Sequence, residues 1–122
     1  MTYVDGFVLV VPKKNVPTYR KMAKEASKVW KQFGALDYKE CMGDDLKPDT
    51  QGMQMLGFPK LTKAKPTDTI WFSFIVYKSK KQRDAVNKKV MAYFAKKSPG
   101  EMKMPFDMRL FSYGGFKTEV EA

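Results

Sequence analysis

Two hydrophobic periods alternate along this chain. Tyr3 to Val11 reads as a strand, with Val4, Val8 and Val10 on one side and Tyr3, Asp5, Phe7 and Leu9 on the other; Pro12 ends it. Asn15 is a helix N-cap and Pro17 falls in the first turn. Tyr19, Met22, Ala23, Ala26, Val29, Trp30 and Phe33 then recur at intervals of three and four, so they share a helical face, while Lys21, Lys24, Lys28 and Lys31 line the opposite one. Gly34 supplies the C-terminal cap. Ala35 to Met42 predicts a second strand whose mixed polarity suits a sheet edge. Gly43 to Asp68 is long, polar and broken by Pro48, Pro59 and Pro66, so it reads as a loop with at most a short turn inside it. Thr69 to Lys78 is rich in aromatic and β-branched residues and predicts a third strand. Ser79 caps a second helix, Lys80 to about Lys97, with Val86, Val90, Tyr93 and Phe94 as its core face and Ser98-Pro99-Gly100 as its stop. A turn at Met104 to Asp107 leads to a last strand, Arg109 to Val120, where Gly114-Gly115 predicts a bulge.

The order is β-α-β-β-α-β. It predicts an α+β, ferredoxin-like fold in a single domain, residues 1–122, with two helices on one face of an antiparallel sheet. A sheet with one wet face should alternate apolar and polar positions. The third strand does not. Ile70, Phe72, Phe74 and Val76 form one face, and Trp71, Ser73, Ile75 and Tyr77 form another that is also largely apolar. Taking this second face, with Tyr3, Phe7 and Leu9, as the one the helices leave bare, its simplest cover is a second copy of the sheet. That predicts a homodimer with a two-sheet, barrel-like core. The alternative is that the long loop folds over this face within one chain.

Composition narrows the chemistry. The chain has no histidine and one cysteine, Cys41. Histidine triads, proximal-histidine haem ligation and most zinc sites are thereby excluded, and no internal disulfide can form. No cofactor and no metal site are expected. Asp44, Asp45 and Asp49 lack the spacing of a calcium loop and suit turn chemistry. The N-terminus does not read as a signal peptide and no run is long enough to span a bilayer, so a cytoplasmic protein is expected. The net charge of +10 is concentrated in the two helices. Such a charge attracts anionic partners. The helix aromatics lie on the core stripe, however, and no nucleic-acid motif is present, so nucleic-acid binding is the weaker expectation.

Candidate site residues follow from the strand pattern. Asp5 sits among apolar neighbours; buried in a cavity it would have a raised pKa and could act as a general acid or base. The plainer reading is a hydrogen bond to a neighbouring strand or an ion pair with Arg109. Tyr38 and Glu40 are two apart on one strand, so they point the same way and could orient a polar ligand. Trp71, Ser73 and Tyr77, joined by Tyr113, form a wall suited to a flat aromatic or lipid-like molecule. Cys41 reads as a half-buried structural cysteine. Arg83, Asp84 and Asn87, a helical turn apart, read as anchors for the long loop or a chain end.

Tyr3-Val4-Asp5-Gly6-Phe7-Val8, Gly34-Ala35-Leu36-Asp37-Tyr38, Arg83-Asp84-Ala85-Val86-Asn87, Met104-Pro105-Phe106-Asp107 and Tyr113-Gly114-Gly115-Phe116-Lys117 resemble blocks of the YbaA-like bacterial proteins, a family of unknown function. The resemblance runs nearly end to end, and departs from the family in a longer stretch, richer in Met and Gln, from Asp49 to Leu56. It implies a dimeric α+β barrel and no particular activity. The functional expectation is a protein that binds a small apolar or aromatic molecule between sheet and dimer partner, with a cofactor-independent reaction as its enzymatic extension. The alternative is a non-enzymatic module that holds an anionic partner, nucleic acid or acidic protein, on its lysine-rich helices. Whether the chain is an enzyme stays open.

Overall fold

The computed structural model describes residues 1–98, 100 and 103–122. Four strands, β1 (Tyr3–Pro12), β2 (Asp37–Met42), β3 (Asp68–Tyr77) and β4 (Ser112–Lys117), form one antiparallel sheet in the order β2-β3-β1-β4. Two long helices, α1 (Val16–Gln32) and α3 (Lys80–Lys97), follow β1 and β3, giving the ferredoxin-like βαββαβ order. Among the described residues no helix is long and apolar enough to cross a membrane.

The local chemistry that begins and ends these elements is in the sequence. Gly34 adopts φ +119°, and the Gly34 and Ala35 N–H groups bond back to Lys31 and Trp30, closing α1 with a Schellman motif. Ser79 caps α3 by accepting from the Gln82 N–H. Asn15 precedes α1 but its side chain does not cap it; its amide donates to the Pro105 carbonyl at 3.0 Å, tying the start of α1 to the segment before β4. Pro99, part of the expected helix stop, lies outside the described residues. The expected bulge at Gly114-Gly115 is absent: β4 pairs with β1 residue for residue from Ser112 to Lys117. This strand is shorter than expected, because Met108–Leu110 takes a 3-10 turn that Asp107 caps.

Which face the helices cover is the main correction. Asp5, Leu9, Val11, Trp71, Ser73, Ile75 and Tyr77 are buried, and their face lies under α1 and α3. The bare face is the other one, where Phe72 is 50% and Phe116 63% exposed, with Val4, Val8, Phe74 and Val76 around them. The physical reason is polar satisfaction. Asp5, Ser73 and Tyr77 carry polar atoms that must be paired once buried, and the helices, with β2, bring those partners. At one end of the bare face a short helix from the long loop, α2 (Phe58–Thr62), packs against β1 and β3, where Val10 and Ile70 are buried.

Candidate functional site

The core beneath the helices is divided. One cluster gathers Leu9, Val11, Val16, Tyr19, Ala23 and Trp71; the other gathers Val29, Ala35, Ile75, Tyr77, Val86 and Val90; Phe7 packs against both. Between them a cavity of about 530 Å³ is bounded by the sheet, by α1 and α3, and by the segment carrying Met104, Phe106 and Phe111. Phe7 stacks on Tyr113 with ring centroids 4.9 Å apart, and Phe106 stacks on Phe111 at 5.6 Å, giving flat aromatic walls. Met22, Met91 and Met104 line the remainder with flexible thioethers.

Two polar networks edge this space. In the first, Arg83 of α3 donates through Nη1 to Asp5 Oδ1 at 2.7 Å and to the Tyr113 hydroxyl at 3.0 Å. Its guanidinium lies 4.9 Å from the centre of the Tyr3 ring, and its Nε is bonded to Asp84. Burial opposes the Arg83 charge, but the carboxylates of Asp5 and Asp84 outweigh it and raise its pKa. One turn further along α3, Asn87 Oδ1 accepts from Trp30 Nε1 and from the Tyr77 hydroxyl, each at 3.0 Å. Trp30 Nε1 also lies 3.0 Å from the Tyr77 oxygen. Burial, then the charge of Asp5, pushes the Tyr77 pKa far up, so its hydroxyl stays protonated.

In the second network Glu40 is the acceptor. Its Oε1 receives the hydroxyls of Tyr19, at 2.7 Å, and Ser73, and its Oε2 that of Tyr38 at 2.7 Å. Burial, followed by the Glu40 charge, raises both tyrosine pKa values well beyond the usual range. Glu40 also borders a second, outer cleft of about 450 Å³ that carries Arg20 and Lys24 from α1.

Five of the seven residues singled out from the sequence line the cavity: Asp5, Tyr38, Glu40, Ser73 and Tyr113. Tyr77 stands behind the wall, fully buried, and reaches it through Asn87. Trp71 does not line it: the indole packs edge-on against Tyr19 at 4.9 Å, donates to Thr69, and borders the outer cleft. The expected position between sheet and dimer partner is corrected, since these side chains face the helices of their own chain. Asp5 pairs with Arg83; Arg109 pairs instead with Asp107. Arg83 and Asn87 do not anchor the long loop: Arg83 holds the first and last strands through Tyr3, Asp5 and Tyr113, and Asn87 holds Trp30 and Tyr77. Cys41 is exposed on edge strand β2 rather than half-buried, because an odd position there points to the bare face. Asp49 does close a turn, accepting from the Gln51 N–H.

Sequence reasoning missed Tyr19, Trp30 and Asn87 as cavity groups, and Arg83 as the partner of Asp5 and Tyr113 at its edge. The signal was present in helical spacing: Arg83, Asn87 and Met91 are four apart, as are Met22, Ala26 and Trp30.

Comparison with known proteins places this geometry in a family. Residues 2–108 match the family described as protein of unknown function (DUF1428). The chain is 41% identical over 121 residues to the uncharacterized protein YbaA of Escherichia coli K12, covering 99% of each, and equally to that of Shigella flexneri. Among solved structures, a crystal structure of a dimeric ferredoxin-like protein from an uncultured marine organism aligns over 100% of both chains with a TM-score of 0.57 at 12% identity.

Proposed function

The chain belongs to the DUF1428 family of proteins of unknown function, and from that premise we propose that it binds a small, flat, largely apolar molecule in the cavity between its sheet and its two long helices. The observation that carries this reading is the cavity itself: about 530 Å³, walled by stacked aromatics and methionines, with two polar networks at its edge. Binding pockets for small molecules have this size and this mixture. We extend the proposal to a homodimer joined through the bare face of the sheet, where Phe72 and Phe116 would otherwise stand in water. The marine neighbour of the same fold is described as dimeric, which supports a dimer as such. A cytosolic setting suits the unpaired Cys41.

Native mass spectrometry of freshly purified protein tests the proposal. The expected result is a dimer that sheds one discrete small molecule per chain on collisional activation, and loses it when Ala26→Trp fills the cavity. Protein that carries no adduct from the cell, or keeps it in Ala26→Trp, overturns the reading. The rival reading, an anionic partner on exposed Lys21, Lys24 and Lys28, predicts a different pattern. There, Ala26→Trp changes nothing, while Lys→Glu at these three positions abolishes binding to a single-stranded oligonucleotide.

A further inference from the structure

Building on the cavity as a ligand site, we infer that Asn87 is its specificity-determining donor, and that the ligand carries a carbonyl or other acceptor oxygen on its aromatic frame. The inference starts from the indole of Trp30. An indole N–H can only donate. It lies 3.0 Å from Asn87 Oδ1, so the orientation of the amide is settled: oxygen toward Trp30 and Tyr77, nitrogen away. The Tyr77 hydroxyl, donating to the same oxygen, reinforces it.

Both lone-pair positions of Oδ1 are therefore used within the protein. Nδ2 has no partner among the described residues, yet no partnerless side-chain N or O among them is sealed from solvent. Asn87 lines the cavity, so its two N–H donors are left to whatever occupies that space. The two carboxylates at the cavity edge do not compete for the role. Asp5 is 1% exposed and held by Arg83, and Glu40 can only accept while it holds three hydroxyls. An oriented amide donor among aromatic walls selects a planar molecule with an acceptor oxygen over the same frame without one.

A matched pair of probes isolates this hydrogen bond: 2-acetylnaphthalene and 2-ethylnaphthalene, alike in shape and differing in the carbonyl. Their dissociation constants are read from tryptophan fluorescence, Trp30 being at the cavity wall. The protein is expected to bind the ketone about fivefold more tightly. Asn87→Asp keeps the acceptor for Trp30 and Tyr77 and removes the donor, so the preference should vanish while affinity for the hydrocarbon stays. Should that variant not fold, Asn87→Ala serves, since the Trp30–Tyr77 contact survives it. Equal binding of the two probes by the unaltered protein, or a preference that persists in the variants, overturns the Asn87 inference and leaves the cavity reading standing. Binding of neither probe overturns both.

Discussion

Tyr19 and Tyr38 each give a hydroxyl proton to Glu40 in a buried setting, and each holds that proton well above the ordinary tyrosine value of 10.0. Above that value the unfolded chain releases both protons while the folded chain keeps them. The folded state then binds more protons, so the free energy of unfolding falls as pH rises. This contribution is whole below pH 10.0 and drains away above it, by up to about 1.4 kcal/mol per pH unit for each tyrosine. Urea unfolding on either side of that pH should show the fall, and Tyr38→Phe should make it shallower. Arg83 sits in the opposite situation, as the sole ion-pair partner of the buried Asp5 among the described residues. Arg83→Met should lower stability by about 3–5 kcal/mol by stranding that carboxylate, and adding Asp5→Asn should restore much of the loss. Denaturant midpoints of the two single variants and the double variant check this. At this scale the sequence was a partial guide. Alternation along a strand places Asp5, Tyr38, Glu40, Ser73 and Tyr113 on one side. It says nothing of a partner 78 residues away, which is why Asp5 was paired with Arg109 instead of Arg83.

Among the elements, β4 shows how little room the sheet leaves at its edge. Gly115 pairs opposite Asp5, and a Cβ there would come within 2.8 Å of Cε2 of the Tyr3 ring. That ring is held in place by the Arg83 guanidinium above it. Gly115→Ala should cost about 1–3 kcal/mol through this overlap, and the penalty should disappear in a Tyr3→Ala background. Thermal unfolding of the three variants would show it. The order, type and approximate ends of the strands and long helices could be read from hydrophobic period and capping residues. The covered face could not, because both faces of β3 are apolar and hydrophobicity alone does not discriminate between them. Pairing of Asp5, Ser73 and Tyr77 was the decisive information, and it resides in α1, α3 and β2 rather than in β3.

For the molecule as a whole, the proposed dimer puts the bare face of the sheet at its interface. Phe72→Lys with Phe116→Lys should convert the proposed dimer to a monomer in light scattering while leaving the cavity intact, since both side chains point away from it. A dimer that survives both substitutions would rule this face out. The divided core has a separate consequence. Phe7 packs against both of its clusters, with the cavity in between. Clusters so separated are expected to differ in their free energies of local opening. A molecule seated between them touches both and fuses them into a single cooperative block. Amide hydrogen exchange in α1 and α3 should therefore slow together on occupation, so that the guest serves as the missing middle of the core.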